Sequence, residues 1–133
     1  IKKICSAMNP LAILKLIKQD LVLSAHDISS GGMILALTEM SVASGLGLKI
    51  YKPKKFTNLL EYFFSEDQGR YLIEISKSSL KKIETFLKQN NVFFETVAEV
   101  QNDTFEIEKT FSLKIKELQN YNNQWYNNYN AIN

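Results

Sequence analysis

Apolar positions along the chain follow two periods, and the switches between them predict its elements. After Asn9-Pro10, a pair suited to a helix cap and first turn, Leu11, Leu14 and Ile17 recur at helical spacing with Ile13 beside them. That face is expected to be buried. Gln19-Asp20 closes the helix, and the apolar run at 21–25 reads as a short buried strand. Residues 27–32 form a turn in which Ser29 or Ser30 is placed to cap a helix over 33–44, with Gly45 as its stop. That helix carries no charge except Glu39, so most of its surface is expected to be covered. A second strand is expected over 46–51.

Residues 57–64 read as a short helix capped by Thr57, and residues 71–76 as a strand. There Tyr71, Ile73 and Ile75 alternate with Leu72 and Glu74. Ser78 or Ser79 then caps an amphipathic helix to Gln89, with Leu80, Ile83, Phe86 and Leu87 inward. Asn90-Asn91 is a turn before a strand over 92–100. Turns at 102–103 and 109–110 predict two successive hairpins, to strands at 104–108 and 111–115. A last helix starts at Lys116 with Leu118, Tyr121, Trp125 and Tyr129 as a packing stripe, and residues 119–133 are expected to fray. Residues 1–8 receive no element. The order predicts one α+β domain over 1–133, a mixed, largely antiparallel sheet with helices packed on one face.

Composition narrows the functions open to this domain. The chain has 133 residues, 45% hydrophobic and 23% charged, enough to build one core without disulfide or metal. A net charge of +2 gives no electrostatic case for nucleic acid, and Lys52, Lys54 and Lys55 around Pro53 read as a solvated loop. The single cysteine, Cys5, fits a reducing, cytoplasmic compartment. No apolar run is long enough for a membrane span. The chain starts at Ile1 in mid-pattern and reads as a piece of something longer.

Candidate chemistry concentrates in two places. His26 and Asp27 can be an acid–base pair, or Asp27 can meet a metal or a phosphate-bearing ligand. His26 is the only histidine, so no triad or zinc site can be built on it. The turn with Ser29, Ser30, Gly31 and Gly32 offers free N–H groups at a helix start, where an anion is favoured. It is neither a phosphate loop nor a dinucleotide fingerprint. Ser65 to Arg70 gathers two carboxylates, an amide and a guanidinium, a set that suits a polar ligand or a solvated turn.

The two segments together resemble a known family. HDISSGGMILALTEMSVASGLG is similar to a run found across aminoimidazole ribonucleotide synthetase-like proteins. FFSEDQGRYLIEI resembles the F-S-E-S-Q-G-R segment of phosphoribosylformylglycinamidine synthases, and Ala98-Glu99-Val100 the family's I-G-E-V. The resemblance covers roughly residues 9–118. It implies the C-terminal domain of the second half of a two-half synthetase. Such enzymes use ATP, formylglycinamide ribonucleotide and glutamine-derived ammonia. The resemblance implies no catalytic residue or metal ligand here, with Mg-ATP bound mainly outside this stretch. Asp27, Ser29, Gly31, Gly32, Glu66 and Gln68 would line an auxiliary nucleotide site. Asp67 replaces the usual Ser and adds a charge that opposes phosphate; Ser30 replaces a frequent Asp or Glu. The implied partners are other domains of the same chain, a glutaminase and small accessory subunits, with no nucleic acid or membrane. Relatives such as selenophosphate synthetase, thiamine-monophosphate kinase or hydrogenase-maturation proteins share the first motif but not SEDQGR. A non-catalytic interaction module is the alternative from another class.

Overall fold

The computed structural model describes residues 1–55 and 58–131. Seven strands form one sheet in the order β2-β4-β1-β5-β3-β6-β7. They are β1 (Lys2–Ala7), β2 (Ser24–Asp27), β3 (Gly47–Ile50), β4 (Tyr71–Ser76), β5 (Phe94–Gln101), β6 (Thr104–Ile107) and β7 (Phe111–Lys114). The helices are α1 (Pro10–Lys18), α2 (Gly32–Ser44), α3 (Leu59–Phe64), α4 (Leu80–Gln89) and α5 (Ile115–Asn130). Every pairing is antiparallel except that of β3 with β6. The expected α+β class with a largely antiparallel sheet is what the chain adopts.

The helices, however, divide between both faces of the sheet instead of one. Because side chains alternate along a strand, Ile4 and Leu72 point to one side while Cys5, Ala7, Ile73 and Ile75 point to the other. The first set packs with Met33, Ala36 and Leu37 of α2 and Tyr62 and Phe63 of α3. The second packs with Ala12, Ile13 and Leu16 of α1 and Ile83 and Leu87 of α4.

The strand that received no assignment, β1, lies at the centre of the sheet between β4 and β5. Its polar residues find partners from other elements, as burial requires. Lys3 bonds to Glu99 and Tyr51, and the fully buried Ser6 accepts from Arg70. Conversely, β2 is not a buried strand at 21–25 but an edge strand beginning at Ser24, and largely exposed.

Several local expectations hold and others shift. Asn9 caps α1, its side chain accepting from the Ala12 N–H at 3.0 Å. The face of α1 is turned, however: Leu11, Leu14 and Ile17 are exposed. Apolar residues nearly encircle this helix, so the stripe alone does not select a side. For α3, the expected cap Thr57 lies outside the described residues; Asn58 accepts from the Leu60 and Glu61 N–H groups. Before α4, it is Ser76 that accepts from the Ser79 N–H, not Ser78 or Ser79 that caps the helix.

The β6–β7 hairpin forms as expected, but β5 and β6 do not pair. β3 inserts between them, antiparallel to β5 and parallel to β6. Gly47 makes this possible, since a Cβ there would lie 2.2 Å from the Thr104 carbonyl oxygen. The stripe on α5 packs only at its start: Ile115 is buried and Leu118 joins the core, while Tyr121, Trp125 and Tyr129 are exposed.

Candidate functional site

Both candidate segments leave the sheet side by side at one end of the β2–β4 ladder, where Asp27 pairs with Tyr71. Just beyond, the Ile28 N–H donates to the Arg70 carbonyl at 2.9 Å. The Gly31 N–H donates to Glu66 Oε1, also at 2.9 Å. Two stretches 35 residues apart therefore form one structural unit.

The Glu66 contact redefines the turn. A helix start leaves N–H groups without intrahelical partners, and Ser29 or Ser30 was expected to take one. Neither does. The N-cap of α2 is Gly31, in the left-handed conformation at φ 79° and with no side-chain cap of its own. Glu66 supplies the acceptor from the neighbouring loop, and its charge also suits the positive end of the helix. The Gly32 N–H returns to the Ser29 carbonyl at 3.0 Å. The anion that the turn was read to attract is thus supplied by the protein. Gly32, at φ 69°, sits so close to the end of α3 that a Cβ would lie 2.6 Å from the Phe64 backbone.

Asp27, Ser29 and Gln68 are exposed around this unit. Asp27 approaches His26 Nδ1 at 3.7 Å, and His26 turns Nε2 to Glu39 Oε2 at 3.0 Å. The histidine therefore bridges β2 to α2 and is a tether more than half of an acid–base pair.

Arg70 holds the far side of the unit. It is buried, donating from Nε to Ser6 Oγ at 2.8 Å and from Nη2 to Met33 Sδ at 3.5 Å, with Asp67 Oδ2 3.4 Å from Nη1. Its guanidinium also lies 5.8 Å from the Tyr62 ring centre. The Tyr62 hydroxyl donates to Glu95 at 3.1 Å, and burial, reinforced by the Glu95 charge, pushes its pKa far above the ordinary range. A cleft of about 300 Å³ opens here, and Glu61, Asp67 and Glu95 place three carboxylates on its walls with Arg70. Sequence reading grouped Arg70 with Asp67 but missed Ser6, Tyr62 and Glu95. Ser6 belongs to the unassigned β1, and the other two reach the cleft only through the fold. Cys5 is buried inert in the core, its thiol pushed up to about 11 by burial.

Magnesium needs converging oxygen donors, and among the described residues no group of three or more His, Cys, Asp or Glu side chains is placed to hold a metal. The carboxylate-lined cleft opposes phosphate, and Glu66 already sits at the α2 N-terminus.

The shared sheet, its two-sided helices and the paired loops have a counterpart among known proteins. The chain belongs to the family described as AIR synthase related protein, C-terminal domain, which matches residues 6–109. Within curated proteins it is similar to phosphoribosylformylglycinamidine synthase subunit PurL of Pelagibacter ubique (strain HTCC1062), 39% identical over 121 residues. That match takes in 91% of this chain and 17% of the relative, so the chain spans about a sixth of the relative's length. Among solved structures, PurLQS from Thermotoga maritima superposes with a TM-score of 0.77 at 17% identity, over 89% of this chain and 26% of that one. The T. maritima PurL complexed with ATP gives 0.75 at 18%, over 89% and 25%. At such identities the structural likeness shows the fold. None of the described helices is long and apolar enough to cross a membrane.

Proposed function

We propose that this chain is the C-terminal domain of a phosphoribosylformylglycinamidine synthase and serves it as a structural, non-catalytic part. The whole enzyme would be an ATP-dependent carbon–nitrogen ligase of purine synthesis in the cytoplasm. It would join glutamine-derived ammonia to formylglycinamide ribonucleotide, releasing ADP and phosphate. In this reading residues 1–133 form one domain of a longer synthetase chain. Its partners are the other domains, a glutaminase and small accessory subunits; the PurLQS assembly of the Thermotoga relative supports further subunits. The relative crystallised with ATP supports a nucleotide in the whole enzyme, held with its magnesium mainly by residues outside this domain.

The observation that carries the reading is the Gly31–Glu66 hydrogen bond. It makes the two motif segments one rigid edge, with Asp27, Ser29, Gly31, Gly32 and Gln68 around it. Such an edge can line a nucleotide bound largely by a neighbouring domain. Rigid placement of a wall is what a reaction driven by positioning and charge neutralisation asks of a supporting domain. In this reading its side chains hold and orient, and the proton transfers fall to residues elsewhere in the enzyme.

The test is an assay of two proteins under identical conditions: the full-length gene product and the 133-residue chain alone. Both receive ATP, formylglycinamide ribonucleotide and ammonia. The full-length enzyme is expected to turn over and the isolated chain to show none. Turnover by the isolated chain would overturn the supporting-domain reading; a full-length protein inert with these substrates would overturn the synthase assignment.

A further inference from the structure

A cleft of about 490 Å³ lies between the C-terminal half of α2 and the sheet. Its floor is one row of side chains from five neighbouring strands: Ser24 of β2, Glu74 of β4, Ile4 of β1, Val100 of β5 and Leu48 of β3. The pairings of Ser24 with Glu74, Glu74 with Ile4, and Val100 with Leu48 set that row. It is graded, polar at the sheet edge and apolar toward the middle, where Ile4 and Leu48 are buried. Met40 and Ala43 of α2 form the roof. Glu39, the single charged residue of α2, lines the polar side, its Oε2 3.0 Å from His26 Nε2. The row starts at Ser24, the opposite end of β2 from Asp27 and the paired loops.

We propose that this cleft is a binding site for a small organic cation, a primary amine carried on an apolar body. The size fits, since small-molecule sites enclose roughly 300–1,000 Å³ and combine apolar walls with a few convergent polar groups. From β4 to β3 the row crosses three strand spacings, roughly 14 Å, which is room for an extended body. The charge fits as well. The lining holds two carboxylates, Glu39 and Glu74, and no lysine or arginine. Lys2 reaches Glu74 Oε1 at 3.0 Å from outside the lining, and the Ser24 hydroxyl donates to Oε2 at 2.8 Å. A carboxylate accepts about four hydrogen bonds, so both keep capacity for the three N–H donors of an ammonium group. An anion entering the same cleft would meet their repulsion. Beyond the carboxylates, Ile4, Val100 and Leu48 offer an apolar bed, and the flexible thioether of Met40 can follow the shape of the body lying on it. The inference does not rest on the proposed enzymatic role, because the cleft and the paired loops stand at opposite ends of β2.

The experiment uses the full-length protein that carries this chain, titrated calorimetrically with 4-phenylbutylamine. Phenylbutanol and phenylbutyrate of the same chain length are the neutral and anionic controls. The amine is expected to saturate and to bind about tenfold or more tightly than the alcohol, with the carboxylate weakest. Replacing both carboxylates, Glu39→Gln with Glu74→Gln, is expected to bring the amine down to the affinity of the alcohol. Ala43→Phe, at an exposed position of the roof, is expected to fill the cleft and abolish binding of both. It keeps the two carboxylates, so the test stands on two independent variants, and thermal melting confirms the fold of each. A photoreactive diazirine analogue of the amine is expected to label peptides containing Met40 or Val100. Absence of saturable amine binding overturns the proposal. So do three probes bound alike, an unchanged amine affinity in the double variant, binding that survives Ala43→Phe, or labelling confined to other parts of the protein.

Discussion

At Gly32 a methyl group decides whether α2 can begin where it does. The residue has φ 69° and the Phe64 backbone 2.6 Å from any Cβ. Gly32→Ala is expected to cost at least about 2 kcal/mol, from left-handed backbone strain plus a contact that only backbone movement relieves. Gly69, at φ 73°, has nothing within 4 Å of an added Cβ, and Gly69→Ala is expected to cost about 1 kcal/mol from the backbone alone. Urea denaturation of the two variants side by side checks the difference. Equal losses would mean that the close approach is not what limits Gly32. Arg70→Met removes the donor to Ser6, leaving a buried hydroxyl with a lost partner, and is expected to cost about 2–3 kcal/mol in the same experiment. At this scale the sequence was informative about which segments mattered and silent about how. SEDQGR and the Ser-Ser-Gly-Gly turn stood out. Yet the acceptor for the helix start came from Glu66, a long-range partner that no local capping rule points to.

Strands and helices were legible in proportion to the contrast of their patterns. β4 and α4 alternate cleanly and appear where expected. β1 places Cys5 and Ala7 on one face and Ile4 and Ser6 on the other, a low-contrast pattern behind two lysines, and its central place follows from pairing with β4 and β5. The β5–β6 hairpin was misread for a related reason: a turn signal between two strands does not reveal a third strand slotted between them. The β1–β5 junction makes its own prediction. The hydrogen bond from Lys3 holds the Glu99 carboxyl below its ordinary range, assisted by the Tyr51 hydroxyl and against partial burial. A carboxyl lowered in the folded state stabilises above its unfolded value of about 4.3 and loses that contribution as pH falls through the folded value. Glu99→Gln is therefore expected to be less stable than the parent at pH 7, by about 1 kcal/mol for this half-buried pair. The gap should narrow at pH 3, below the unfolded value. Urea midpoints at the two pH values check this, and a gap unchanged at pH 3 would mean that ionisation of Glu99 is not its source.

For the molecule as a whole, two faces of helices around one sheet leave three distinct surfaces: the paired-loop edge, the turned face of α1 and the aromatic end of α5. The sequence indicated the first through its motifs. It did not separate the other two from the core, because apolar spacing marks a face without saying which way it turns. Cys5 reports on the integrity of this core. Its buried thiol, with a pKa near 11, is expected to resist a thiol reagent at pH 8 and to react quickly once urea unfolds the chain. Rapid labelling of the native protein would show that β1 opens readily. In the proposed role, the edge joined by Gly31 and Glu66 supports a nucleotide and does no chemistry. Its most direct test is the full-length enzyme carrying Glu66→Ala and Gln68→Ala together, measured for nucleotide retained after purification and for turnover with saturating substrates. A large loss of retained nucleotide and of thermal stability is expected, with turnover of the folded enzyme within a few-fold of the parent. Full nucleotide retention with turnover abolished would contradict it.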